Sequence, residues 1–112
     1  MDARIKSGVW VKAQVRLCDI AGRPAAILRH GDDDAGTVIL KLIGADGRVR
    51  LLAQTTAPEG GLAWYRPLGA EPVAEAEAEA YIARQAKFDP DVWALEILDR
   101  AGNFAPDGRI LG

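Results

Sequence analysis

Residues 37–52 read TVILKLIGADGRVRLL, and this stretch decides the fold. Two apolar runs, 37–43 and 49–52, flank the pair Asp46-Gly47. An Asp-Gly pair between such runs favours a tight turn with positive φ, because glycine adopts that backbone conformation at no steric cost. The stretch therefore predicts a β-hairpin in the middle of the chain.

Other strands are predicted before and after this hairpin. The short apolar run at 25–28 and the aromatic segment at 62–66 are each bounded by turn-forming residues, which is typical of strands. Residues 92–98 are rich in apolar, β-branched and aromatic residues and favour a further strand. A helix that begins at Asp89, with Pro90 in its first turn, is the alternative, and the sequence leaves this choice open.

Two segments have helical character. Residues 72–87 consist mainly of strong helix formers, with glutamates early and basic residues late, as the helix dipole prefers. Residues 8–20 fit either a helix, with Ser7 as N-cap, or a half-buried strand of alternating polarity. The alternation fails at 18–20 whereas a helical stripe continues, so we favour the helix and keep the strand as the alternative. The apolar side of this amphipathic helix, opposite Lys12, Arg16 and Asp19, comprises Val9, Trp10, Ala13, Leu17 and Ile20.

The resulting element order is α-β-β-β-β-α-β. Strands joined by short turns pair antiparallel, so we predict an α+β two-layer sandwich with a mainly antiparallel sheet of about four or five strands and two helices on one face. The length of 112 residues fits one domain with one core. We assign residues 1–99 to this domain and expect 100–112 to be a loosely ordered C-terminal tail, attached through Phe104.

Composition excludes several classes of protein. The chain is 49% hydrophobic and 27% charged, which is typical of a globular protein, and its formal net charge of −2 argues against a nucleic-acid partner. The single cysteine, Cys18, can form neither an internal disulfide nor a multi-cysteine zinc site, which fits a reducing cytoplasm. No apolar stretch is long enough for a signal sequence or a membrane span, so we expect a cytoplasmic protein.

The residues that carry chemistry do not form a recognisable catalytic set. Cys18 has no evident activating neighbour, and Ser7 and His30 are the only serine and histidine. The acidic run 32–34 lacks the spaced ligands of an EF-hand, and no glycine-rich nucleotide motif occurs. We therefore expect no catalytic residues, no metal and no cofactor, and the balance weighs against an enzyme without deciding the question.

One aromatic triplet stands out as a candidate interaction surface. Trp64, Tyr65 and Arg66 lie beside the flexible Gly60-Gly61 pair and belong to the residue types enriched in binding hot spots. We predict that these three residues contact a partner.

Three segments resemble a known family. They are RIKSGVWVKA at 4–13, RHGDDDAGTVILK at 29–41 and KFDPDVWALEI at 87–97. In this order and spacing they resemble the bacterial domain-of-unknown-function 1491 family, which is associated with alphaproteobacteria. The resemblance extends from about Arg4 to Asp99, and its most distinctive part is FDPDVW at 88–93.

The resemblance implies no activity, but it gives a short list of positions to test. Among these, Arg16, Arg29, Asp89 and Asp91 are polar groups that folding explains less easily than it explains the glycines and tryptophans. Our leading hypothesis is a protein-interaction or regulatory module that binds a partner, or a second copy, through a strand edge or the aromatic triplet. The alternative is a small-molecule-binding protein or enzyme with a polar pocket built from those four residues.

Overall fold

The computed structural model describes residues 5–112, so Arg4, where the resemblance begins, lies outside the described residues. The α+β class and the predicted order of the first seven elements are confirmed, residues 8–20 are helical and residues 93–98 form a strand. The elements are α1 (Ser7–Ile20), β1 (Ala25–Arg29), β2 (Val38–Ile43), β3 (Val49–Thr56), β4 (Leu62–Tyr65), α2 (Glu75–Phe88), β5 (Trp93–Leu98) and β6 (Arg109–Ile110).

All six strands form one mixed sheet, in the order β1-β5-β2-β3-β4-β6. The predicted hairpin is β2–β3, in which Ile43 pairs with Val49 and Gly47 has a φ of +80° in the turn. Strand β5 enters between β1 and β2 and runs parallel to β2, while β6 runs parallel to β4. The sheet is therefore mixed. Helix α2 carries the chain across one face, so β5 begins at the same end of the sheet as β2 and runs parallel to it.

The layering differs from the two-layer expectation, because the helices pack on opposite faces of the sheet. Alternate residues of a strand point to opposite faces, and both faces of β2 and β5 are apolar, so each face needs a cover. Helix α1 packs against Val38, Leu40, Leu52, Trp64 and Leu95. Helix α2 packs against Ile39, Val49, Leu51 and Ala94.

Helix α1 turns a different side to the sheet than its amphipathic pattern indicates. Its buried residues are Gly8, Val11, Gln14 and Cys18, whereas Val9, Leu17 and Ile20 of the expected apolar side are exposed. The helix has two apolar lines, and the line that includes Val11 and Cys18 is the one that fits the sheet. The prediction of Ser7 as N-cap is also wrong: Lys6 is the N-cap, and the Ser7 hydroxyl donates to the Gly36 carbonyl at 2.6 Å.

The segment 100–112, for which we predict a loosely ordered tail, packs against the rest of the chain. Phe104 packs against the α1 side of the core, and its backbone N–H donates to the Asp99 carboxylate at 3.1 Å. Further on, the Trp64 indole N–H donates to the Asp107 carbonyl at 2.7 Å, and β6 pairs with β4. These contacts hold the segment along the outer strand of the sheet.

Cys18 belongs to the core between α1 and the sheet and is only 2% exposed. Burial raises the pKa of the Cys18 thiol, the positive charge of Arg23 lowers it in part, and the negative charge of Asp99 raises it further. A thiol reacts as the thiolate, so this environment makes Cys18 a packing residue rather than a nucleophile.

The other helix carries a buried phenol whose ionisation is coupled to folding. Burial, followed by the neighbouring Tyr65, raises the pKa of Tyr81 from 10.0 to about 12. The folded chain therefore keeps a proton that the unfolded chain loses as the pH rises from about 10 to about 12, so the stability contributed by this group is present below that window and lost through it.

We expect the free energy of unfolding to fall by on the order of 2 kcal/mol through that window because of Tyr81 alone. Urea denaturation at a series of alkaline pH values measures this slope. In Tyr81→Phe the slope should be shallower by that amount. A Tyr81→Phe variant with the wild-type pH slope would contradict the assignment.

Candidate functional site

The aromatic triplet does not form a single surface. Trp64 is fully buried, and its ring packs against Trp10 with centroids 5.6 Å apart. Tyr65 is 42% exposed and points to the α2 side, because successive strand residues face opposite sides of the sheet. Arg66 is half-buried and donates to the Gly112 carbonyl at 3.1 Å. Trp64 is therefore a core residue and has no surface to offer to a partner.

Three of the four residues of the expected polar pocket meet where β5 begins. The Arg29 guanidinium donates to the Pro90 carbonyl at 3.0 Å, and the Asp91 carbonyl accepts the Asp32 N–H at 2.9 Å. The Asp89 carboxylate accepts the Thr37 hydroxyl at 3.3 Å. These groups hold the loop between β1 and β2 against the chain that enters β5.

Arg16 does not join this cluster. It lies on the exposed side of α1, beside a shallow groove that also involves Lys12 and Ile27. Within residues 5–112 no hydrogen bond or ion pair links Arg16 to Arg29, Asp89 or Asp91. The four residues therefore do not enclose one pocket.

Two glycines allow the loop and β5 to approach each other. A Cβ atom at Gly31 would lie 2.2 Å from the Asp91 carbonyl oxygen, and one at Gly36 would lie 2.1 Å from the same atom. The Trp93 indole N–H also donates to the Asp32 carbonyl at 2.7 Å in this region. The loop between β1 and β2 and the FDPDVW segment therefore pack tightly against each other.

A buried ion cluster on the α2 side escaped the sequence analysis. Lys41 of β2 is 1% exposed, and its Nζ atom lies 2.7 Å from Glu75 Oε2, 3.0 Å from Glu96 Oε1 and 3.4 Å from Glu79 Oε1. Burial lowers the pKa of Lys41, but the hydrogen bonds to Glu75 and Glu96 outweigh it and raise the pKa above its ordinary value. A lysine inside the apolar run VILKLI was the one sequence signal of this cluster.

The Lys41 cluster is suited to a structural role. Its ammonium stays protonated, so it can serve neither as a base nor as a nucleophile at neutral pH. The three carboxylates belong to α2 and β5, and the shared cation therefore fastens the helix to the sheet.

The exposed apolar line of α1 is the most conspicuous surface feature. We define the α1 outer face as Val9, Ala13, Leu17 and Ile20, which follow one another at helical spacing. Val9 is 60% exposed, Leu17 57% and Ile20 75%. The line is about 17 Å long at 1.5 Å per residue. Lys12 and Arg16 flank it on one edge.

The geometry of the described residues supports neither a metal site nor a membrane-spanning helix. Among residues 5–112 no group of three or more His, Cys, Asp or Glu side chains is placed to hold a metal ion. In the same part of the chain, neither helix has the length and apolar character needed to cross a membrane.

Comparisons with known proteins agree with the resemblance noted in the sequence. The profile of a family described as "Protein of unknown function (DUF1491)" matches residues 5–105. A comparison with curated proteins gave no match.

Solved structures of similar chains share the fold. The crystal structure of a DUF1491 family protein from Caulobacter crescentus is 31% identical, with a TM-score of 0.86, and covers 96% of this chain and 100% of its own. An NMR structure of a DUF1491 family protein from the same species is 30% identical, with a TM-score of 0.85 and coverages of 99% and 100%. A solution structure of a protein from A. tumefaciens is 27% identical, with a TM-score of 0.74 and 87% of each chain covered.

Proposed function

We propose that this chain, which belongs to the DUF1491 family, is a non-catalytic protein-interaction module that binds a partner helix on the α1 outer face. The observation that carries the proposal is the second apolar line of α1. Val9, Leu17 and Ile20 each leave more than half of their surface in water although Val11 and Cys18 already anchor the helix to the sheet.

Exposure of this line has an energetic cost that a partner would remove. A helix that is apolar on two sides is typically covered on both, and a row of exposed aliphatic side chains is a common mark of a binding surface. Full burial of one Val, Leu or Ile side chain contributes about 1.5–3 kcal/mol, so covering even part of three such residues can drive association.

The charges beside the α1 outer face indicate the chemistry of the partner. Lys12 and Arg16 outnumber Asp19 along one edge, so the best complement is an amphipathic helix whose apolar stripe is flanked mainly by acidic residues. A second copy of this chain is a poorer match, because an antiparallel pair of α1 helices would bring Lys12 of one copy close to Arg16 of the other. The proposed setting is the cytoplasm, where a single buried thiol stays reduced.

The test is capture of a cross-linked partner from the native cell lysate, followed by identification of the cross-linked residues. We expect the wild-type chain to capture a protein whose cross-links include Lys12. Val9→Glu/Leu17→Glu should lose this protein, and Arg16→Glu, which keeps the cross-linking amine of Lys12, should retain it weakly, since the charges steer and the apolar face binds.

Phe88→Glu is the matched control, because Phe88 is 84% exposed on the other helix. This variant should capture the partner as well as the wild type does. Each variant should also unfold within about 1 kcal/mol of the wild type, because all of these side chains are exposed. Equal capture by Val9→Glu/Leu17→Glu would refute the proposal. Wild-type dimerisation abolished by that variant would identify a second copy as the occupant instead of a partner helix.

A further inference from the structure

A cleft opens at one end of the sheet, where α1 and β2 begin, β3 ends and β4 begins. Its volume is about 540 Å³, which lies within the range of small-molecule sites. Trp64 of the aromatic triplet lies at this cleft, whereas the Arg/Asp cluster does not line it, and the cleft is distinct from the α1 outer face.

One wall of the cleft is apolar and aromatic. Trp10, Val38 and Leu62 line it, and the ring of Trp64 packs against that of Trp10. Trp64 is fully buried and its indole N–H donates to the Asp107 carbonyl, so this ring supports Trp10 from within the core. A flat ring can stack on such a wall, because aromatic pairs gain energy beyond the area that they bury.

Beside that wall, β3 contributes polar groups to the cleft. Thr55 and Thr56 follow Gln54 along this strand, and the Gln54 side-chain oxygen accepts the Val38 N–H at 2.8 Å, which fixes that side chain in place. These groups can orient the polar end of a ligand by hydrogen bonds.

The charges of the cleft are negative. Among residues 5–112 the lining includes two acidic residues, Asp34 and Asp107, and no lysine, arginine or histidine. Lys6 lies 3.5 Å from Asp34, but both side chains are largely exposed and such pairs are weak. Within the described part of the chain Asp107 has no ion-pair partner. The cleft therefore attracts cations and repels anions.

From this combination we infer that the cleft is a binding site for a small molecule that joins an aromatic ring to a protonated amine. The ring lies against Trp10 and Leu62, and the amine lies toward Asp107, where a charge-assisted hydrogen bond favours a cation. This inference does not depend on the proposed role of the α1 outer face.

The test compares two probes of the same size and opposite charge on the isotope-labelled full chain. Phenethylamine carries the ring and the amine, and hydrocinnamate carries the same ring with a carboxylate. We expect phenethylamine to shift the backbone amide NMR signals of Thr55, Thr56 and Gly61, and to bind about fivefold more tightly than hydrocinnamate.

Two variants separate the charge from the shape of the cleft. Asp107→Asn should reduce the preference for the amine at least about twofold, because it removes the unpaired carboxylate without changing its size. Glu71→Gln, which makes the same change in net charge at an exposed residue outside the cleft, should leave the preference unchanged. The inference would be overturned by an absence of shifts in the cleft, by equal binding of both probes to the wild type, or by an undiminished preference in Asp107→Asn.

Discussion

Replacement of Gly36 by alanine should lower the free energy of unfolding by about 3 kcal/mol. The added Cβ would lie 2.1 Å from the Asp91 carbonyl oxygen and 2.9 Å from the Asp32 nitrogen. Both atoms belong to the backbone, so no side-chain rotation can relieve the overlap. The loop between β1 and β2 must then move away from β5. Urea denaturation followed by far-ultraviolet circular dichroism measures the loss.

Gly22→Ala is the matched control for this prediction. Gly22 has a φ of +75°, and a Cβ at this position would meet no atom within 4 Å. Alanine there suffers backbone strain alone, which costs about 1 kcal/mol. If Gly36→Ala were no less stable than Gly22→Ala, the close packing of the loop against Asp91 would be refuted.

Lys41→Met should also destabilise the fold by about 3 kcal/mol. Methionine fills much of the volume of the lysine stem but leaves Glu75, Glu79 and Glu96 facing one another without a cation. Removing one partner of a buried ion pair costs about 3–5 kcal/mol, and the lower end applies because Glu75 and Glu79 are half-exposed and regain water.

A second substitution tests the mechanism of this loss. Glu96 is the least exposed of the three carboxylates, at 29%. In the Lys41→Met background, Glu96→Gln should recover about 1 kcal/mol, because it removes one repelling charge. Lys12→Met, at an exposed lysine, should change the stability by less than about 0.5 kcal/mol. A Lys41→Met variant as stable as Lys12→Met would show that the cluster adds nothing to the fold.

Local signals account for the parts of the fold that the sequence predicted well. The Asp46-Gly47 turn determines the β2–β3 hairpin from within a few residues, and the glutamate-rich stretch before Lys87 forms a helix on propensity alone. The position of β5 beside β2 depends instead on contacts such as Leu40 with Leu95, which are distant in sequence. No local pattern encodes such a pairing, so the mixed order of the sheet was not predictable.

The positions of the candidate surfaces depend on the same kind of long-range contact. A helical projection shows which side of α1 is apolar, but it does not show which of two apolar lines meets the sheet, and the sheet selected Val11 and Cys18. The sequence neighbours of Trp64, which include glycines and Arg66, indicate a surface residue. Its burial depends on Trp10 and Asp107, which come from the two ends of the chain. Lys41 was overlooked because two of its partners lie on α2.

The place of β5 between β1 and β2 also affects how the chain can assemble during synthesis. Strand β1 leaves the ribosome early, yet within residues 5–112 it pairs with β5 alone, which is made near the end. The hairpin and β4 can associate as they emerge and α1 can pack against them, whereas β1 must wait for the strand that joins it to the sheet. Until then the apolar residues of β1 and the open edge of β2 are accessible to other nascent chains. Chaperones that shield this N-terminal portion should therefore matter most in the interval before β5 is complete.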